Sequence, residues 1–245
     1  MSQADWNGLS DNLATTVVDH GITSGVDKPS GGGEHVYGFN ALAATEGVVG
    51  LYATQLNFNP TTKGGSVRGA IRRGPSPSGS GFSPFMFMAL QGTASTNLAY
   101  MLGLSNEDPF RIVLRKGALT GGIPSGAPDP DGQNNILMRS GQSFALSDAP
   151  WLHLRLDMIV QGSGDVLLQV FQNDLALNPV STPDWQVVPG MEGPQSPSIE
   201  GFVDDSLGIN TGSLPLTAGR IGFGQKSAIT SARSFFDHMQ VLRQL

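Results

Sequence analysis

"WLHLRLDMIVQGSGDVLLQVFQNDL", residues 151–175, decides the fold. Leu152, Leu154, Leu156, Met158 and Val160 are apolar while His153, Arg155 and Asp157 are polar. That period of two belongs to a strand, whose successive side chains point to opposite faces. "QGSGD" at 161–165 follows as a turn, and the chain returns with Val166, Leu168 and Val170 on one face. The pair reads as an antiparallel hairpin ending at Asn173-Asp174, with Leu154 in the core and Arg155 outside it.

Working outward, short apolar runs bounded by Gly, Pro, Asn, Asp or Ser recur along the chain, among them "SVRGAIRR", "FMFMALQ", "AYMLGL" and "FRIVLRK". The best helix candidate, "ALAATEGVVGLYATQL" at 41–56, contains Gly47, Gly50 and several β-branched residues, so it is read as strand. A chain of 245 residues with 33 glycines and 16 prolines suits one large sandwich with many turns. The fold expected is therefore all-β: an antiparallel β-sandwich over residues 36–245, with long loops. Two such loops, 117–135 and 189–213, are expected to leave the sandwich rim. Residues 1–35 carry Asp5, Asp11, Asp19, Asp27 and Glu34 against Lys28, and are read as an acidic N-terminal arm that makes assembly contacts. Trp6, Leu9, Leu13, Val17 and Val18 are its apolar residues able to anchor in a partner.

Composition excludes several function classes. The net charge is -6, and no basic cluster exceeds the pairs Arg72-Arg73 and Arg115-Lys116, so the phosphate-neutralising face of a nucleic-acid binder is missing. With no cysteine, disulfides and thiolate metal sites are excluded. No apolar run approaches the roughly 18 residues of a membrane-spanning helix, and no secretory leader pattern opens the chain, so a cytoplasm is the expected site of synthesis.

The stretch at 151–175, followed much later by "AGRIGFGQKSAITSARSFFDHMQVLRQL" at 218–245, resembles the concanavalin A-like lectin/glucanase superfamily of jelly rolls. The resemblance implies a terminal strand that closes a jelly-roll sheet. "AYMLGLSNEDPFRIVLRKG", "FVDDSLGIN" and "FFDHMQV" further resemble structural proteins of tailed-phage virions. That likeness implies a non-enzymatic virion component, made in a bacterial host and partnered by copies of itself and other virion proteins. Host-surface glycan would be a further partner, and the alternative function is a carbohydrate-binding or glucanase-like module of the same fold.

Enzymes of that superfamily set carboxylates at alternate positions of one strand, because that spacing aims both into one cleft. Glu34, Glu46, Glu107, Glu192 and Glu200 have no carboxylate two residues away, so no catalytic pair is expected. Nucleophile elbow, phosphate loop, dinucleotide fingerprint and zinc-protease helix are all missing from the sequence. The four histidines, His20, His35, His153 and His238, show no ligand spacing. Asp129, Asp131 and Asn134 offer hard oxygens, yet the flanking prolines make a polar turn the better reading, and Asp204-Asp205 is read the same way, with either pair able to bridge to Arg or Lys on a neighbouring subunit. No metal or cofactor is expected. Trp151 is assigned to the core, and Trp185 in "TPDWQVVPG" is the candidate ligand contact.

Overall fold

Alternation of apolar and polar residues, broken by glycine and proline, leaves this chain little choice but strands. The computed structural model describes residues 6–10, 18–23, 36–41, 47–58, 63–74, 82–91, 98–148, 150–173, 184–192, 201–227 and 233–244. In chain order the strands are β1 (Trp6–Ser10), β2 (Val18–Thr23), β3 (Val36–Ala41), β4 (Gly47–Phe58), β5 (Gly64–Arg73) and β6 (Phe82–Leu90). They continue as β7 (Leu98–Leu104), β8 (Phe110–Ala118), β9 (Ile136–Phe144), β10 (Leu152–Val160) and β11 (Val166–Asn173). The last are β12 (Trp185–Val187), β13 (Met191–Glu192), β14 (Phe202–Asp204), β15 (Gly219–Ser227) and β16 (Arg233–Gln244). Among the described residues the helical content is the single 3-10 turn Leu119–Gly121.

The strands form two antiparallel sheets, so the chain is an all-β antiparallel sandwich of jelly-roll type. The first sheet runs β1-β4-β15-β6-β7-β8-β9-β13 and the second β12-β11-β10-β5-β16-β3-β2, with β14 also paired to β11. The 151–175 hairpin is β10 and β11, in register from His153↔Asn173 to Val160↔Val166. The terminal strand β16 lies inside the second sheet, between β5 and β3. It is irregular between Asp237 and Gln240, where His238 takes a φ of 52°.

The 1–35 segment contributes strands where its composition predicted none: β1 pairs with β4 at the end of the first sheet and β2 with β3 at the end of the second. Trp6 and Leu9 lie on β1 and Val18 opens β2, whereas Leu13 and Val17 fall outside the described residues.

Between the sheets, Met86, Tyr100, Leu102, Leu114 and Phe223 of the first meet Val67, Ile71, Leu154, Leu156, Val170 and Phe236 of the second. The Phe223 and Phe236 rings meet with centroids 4.9 Å apart, which ties the two layers at their centre. Leu154 is fully buried and Arg155 half-buried, as the alternation requires.

The first sheet has a second apolar face. Phe85 and Phe87 alternate with the core-facing Met86 and Met88, and they pack with Met101, Val113 and Ile136 outside the sandwich. The 117–135 loop covers them with Leu119 and Ile123, so it lies over a sheet and does not project from the rim. It is fastened by Ile123 N donating to Ser83 Oγ at 2.8 Å and by Arg115 Nη1 donating to the Gly122 carbonyl at 2.7 Å.

Candidate functional site

Among the described residues the other outer face has no such cover. Register places Arg155 of β10 directly between Arg68 of β5 and Phe171 of β11, and Phe171 opposite Val187 of β12. One residue pair along, His153 stands between Ala70 and Asn173, and Asn173 opposite Trp185. Residues that lie up to 117 positions apart in the chain, Arg68 and Trp185, thereby come onto one surface.

Arg155 organises that surface. Its guanidinium lies over the Phe171 ring at 4.2 Å and the Trp185 ring at 5.3 Å, and Nη2 donates to Asp157 Oδ2 at 2.9 Å. Arg68 lies 6.0 Å from the Trp185 centroid and gives Nε and Nη2 to Gln240 Oε1 at 2.9 and 2.7 Å. Burial lowers the Arg68 pKa, the Arg155 charge lowers it further, and Asp157 pulls it back. Burial raises the Asp157 pKa against the pull of Arg155 and Arg68. Trp185 Nε1, Arg155 Nε and Asp157 Oδ1 are buried with no hydrogen-bond partner among the described residues.

Beside this face, where the sandwich opens between β9 and β10–β12, lies a cleft of about 310 Å³. Its apolar lining is Phe144, Leu152 and Leu154, and its polar lining is Gln142, His153, Gln172, Asn173 and Gln186. Four of these five polar side chains are amides, and none of the lining side chains is a carboxylate. Asn173 is only 3 % exposed, yet neither its Nδ2 nor its Oδ1 has a partner among the described residues. His153 Nε2 is also unpartnered, and its pKa is pushed down to about 4, first by burial and then by the charge of His238. The two rings lie 6.4 Å apart.

The remaining sequence candidates have structural work. Asp129 closes its own turn, Oδ1 accepting from Ile136 N at 2.9 Å and Oδ2 from Asn134 N at 3.2 Å. Among the described residues no three His, Cys, Asp or Glu side chains gather as metal ligands. Asp204 is not a surface turn residue open to another subunit: it is fully buried, 2.7 Å from Lys116 Nζ, and accepts from Tyr100 OH and from Thr211 Oγ1. The ion pair thus joins β8 of the first sheet to β14 of the second. Burial lowers the Lys116 pKa while Asp204 raises it, and burial pushes the Tyr100 hydroxyl far above its ordinary value. Asp205 takes the N–H groups of Leu207, Ile209 and Asn210 and so shapes the loop that follows. Glu107 accepts from Ser105 Oγ, Glu192 ends β13, and Glu34, Glu46 and Glu200 lie outside the described residues, as does His35. His20 falls on β2. Trp151 is buried with Ala70 and Phe235 in a cluster apart from the inter-sheet core.

No protein-family model and no curated protein matches this sequence. Among solved structures, a carbohydrate-binding module, CBM66, from Bacillus subtilis is similar at 8 % identity and a TM-score of 0.46, over 97 % of this chain and 95 % of that one. The carbohydrate recognition domain of Emp47p is similar at 13 % identity and 0.45, over all of both chains. A carbohydrate esterase of the Shiga toxin-encoding bacteriophage phi24B is similar at 12 % and 0.45, over 98 % and 90 %. The strand pairing itself, two stacked antiparallel sheets with the terminal strand inside the second, carries the assignment of the chain to the jelly-roll β-sandwiches.

Proposed function

We propose that this protein is a non-catalytic glycan-binding module whose ligand occupies the amide-lined cleft and reaches the Trp185 face. The observation that carries this reading is Asn173. A buried amide left without partners costs on the order of 1–3 kcal/mol, a penalty that ligand groups entering the cleft would remove. Each amide offers a donor and an acceptor side by side, the pattern that neighbouring sugar hydroxyls complement. Leu152, Leu154 and Phe144 supply the apolar wall against which the C–H face of a sugar ring packs. A cleft without carboxylates has no acid–base pair to cleave a glycosidic bond, so binding without turnover is the chemistry its lining supports. The test is a glycan array followed by titration calorimetry of wild type, Asn173→Ala and Gln186→Ala. Expected are binding by the wild type, a loss of roughly tenfold or more in each folded variant, and no release of reducing ends. A wild type that binds no glycan, or variants that bind as well as it does, would refute the reading.

A second reading, a structural subunit of a larger assembly such as a tailed-phage virion, is favoured by one observation. Leu207, Ile209 and Leu214 are 77, 73 and 67 % exposed on a loop that is held firmly. Asp205 gathers its amides, Gly208 supplies a φ of 71°, and Lys116 Nζ donates to the carbonyls of Ser213 and Leu214. Three aliphatic side chains displayed on a pre-ordered loop form a surface that a protein partner would bury. Light scattering on the wild type and on a Leu207→Ser, Ile209→Ser double variant, with incorporation into particles as the functional readout, tests it. Identical assembly by both proteins counts against this reading and leaves the glycan proposal untouched.

A further inference from the structure

The geometry points to a carboxylate subsite at Arg68 and Arg155, and we infer, resting on the glycan-binding reading above, that the ligand is an acidic saccharide bearing a uronate or similar carboxylate. Like charges set directly opposite each other across two strands destabilise a sheet, yet Arg155 and Arg68 are register partners. Their compensation is incomplete. Asp157 answers Arg155 through Nη2 alone, and Arg68 is met by the neutral carbonyl of the Gln240 amide. Two further carboxylates lie near this face and are held by neutral donors, Asp184 by Gln186 Nε2 and Asp237 through Oδ1 by the amide of His238.

The molecule carries its own contrast. Arg73 and Arg115 are arginines with structural roles, and each is buried and gives its Nη1 to backbone carbonyls, Ser105 and Glu107 for the first and Gly122 for the second. Arg68 and Arg155 hold no backbone carbonyl by any bond described for them; they are spread over the Trp185 ring on an accessible face. Each guanidinium keeps its Nη1 outside the bonds that hold it, since Asp157 takes Arg155 Nη2 and Gln240 takes Arg68 Nε and Nη2. Planar guanidinium edges suit a carboxylate, and the adjoining indole and the amide cleft suit the ring and hydroxyls that carry it.

The experiment is calorimetry with oligogalacturonate and oligomannuronate, each compared with its methyl ester, which keeps the ring and removes the charge. The acid forms are expected to bind at least about tenfold more tightly than the esters, with an advantage that shrinks as salt is raised. Arg155→Gln and Arg68→Gln should each erase most of that advantage, and Arg68→Lys should keep part of it. Thermal melts establish that each variant is folded. Equal affinity for acid and ester, or binding confined to neutral glycans on the array, overturns the carboxylate subsite and leaves the glycan reading standing. Failure to bind any glycan overturns both.

Discussion

The two outer faces of this sandwich began from the same problem and solved it differently. On the first sheet, Phe85, Phe87, Met101 and Val113 are sealed under the 117–135 loop, and Arg115 beneath that loop is consumed by the Gly122 carbonyl. On the second, Phe171 and Trp185 stay half-buried under Arg155, whose charge is only partly met. Aromatics and arginines occur on both. What differs, among the described residues, is whether backbone from the same chain completes them, and a face left incomplete is where a ligand can contribute.

The comparison is broken most directly by making one substitution on both faces. Phe87→Ala removes a fully buried ring under the loop and should cost about 3–5 kcal/mol, since the fastened loop cannot collapse into the cavity. Phe171→Ala removes a half-buried ring under a partly exposed guanidinium and should cost about 1 kcal/mol. Urea unfolding midpoints decide it, and equal costs would mean that the second face is as sealed as the first.

Acid sharpens the comparison. His153 belongs to the open face by register but is buried, and its pKa is pushed down to about 4 from the ordinary 6.5. Between those values the unfolded chain binds a proton that the folded chain refuses. Stability therefore falls as pH drops from 6.5 to 4, by roughly 2–3 kcal/mol at about 1.4 kcal/mol per unit. Asp157, whose carboxyl is raised by burial, works in the opposite direction. Arg115 under the loop is pushed down only to about 10 and stays charged throughout. Melts of wild type and His153→Gln across this range should converge at low pH, and an unchanged slope in the variant would assign the effect to other groups.

The strands of both faces were legible in the sequence to the extent that their burial was one-sided. The alternation in 152–160 announces β10 because one side of it is wet. "FMFMALQ" shows no alternation because β6 is buried on both sides, by the core and by the loop, and that run carries the signal of the cover. β1 and β2 escaped because "WNGLS" and "VDHGIT" carry glycine and polar residues, and pairing at a sheet end asks little of side chains. At the site, Trp185 stands out in the sequence as one of only three tryptophans. Its companions Arg68, Arg155 and Asn173 do not, because only the β5-β10-β11-β12 register brings them together, and register is a long-range property. Asp204 looked like half of a polar turn because its partners, Tyr100 and Lys116, are about a hundred residues away.

The smallest expected effect concerns the ion pairs themselves. Arg155 and Asp157 meet at 2.9 Å with side chains about one-fifth exposed, 22 and 21 %, so water and salt still screen them. A double-mutant cycle with Arg155→Ala and Asp157→Ala should return a coupling below about 1 kcal/mol. Lys116 and Asp204, at 2.7 Å and 2 and 0 % exposed, lie where each charge depends on the other, and deleting either alone should cost about 3–5 kcal/mol. Asp204→Asn keeps the shape and removes the charge together with one acceptor, since both Asp204 oxygens accept here. If the outer pair coupled as strongly as the inner one, Arg155 would be a structural arginine in the manner of Arg115, and its guanidinium would not be free to turn toward a carboxylate. A weak outer pair is what the subsite requires: the bond to Asp157 holds Arg155 over Trp185 and costs little to share with an arriving anion.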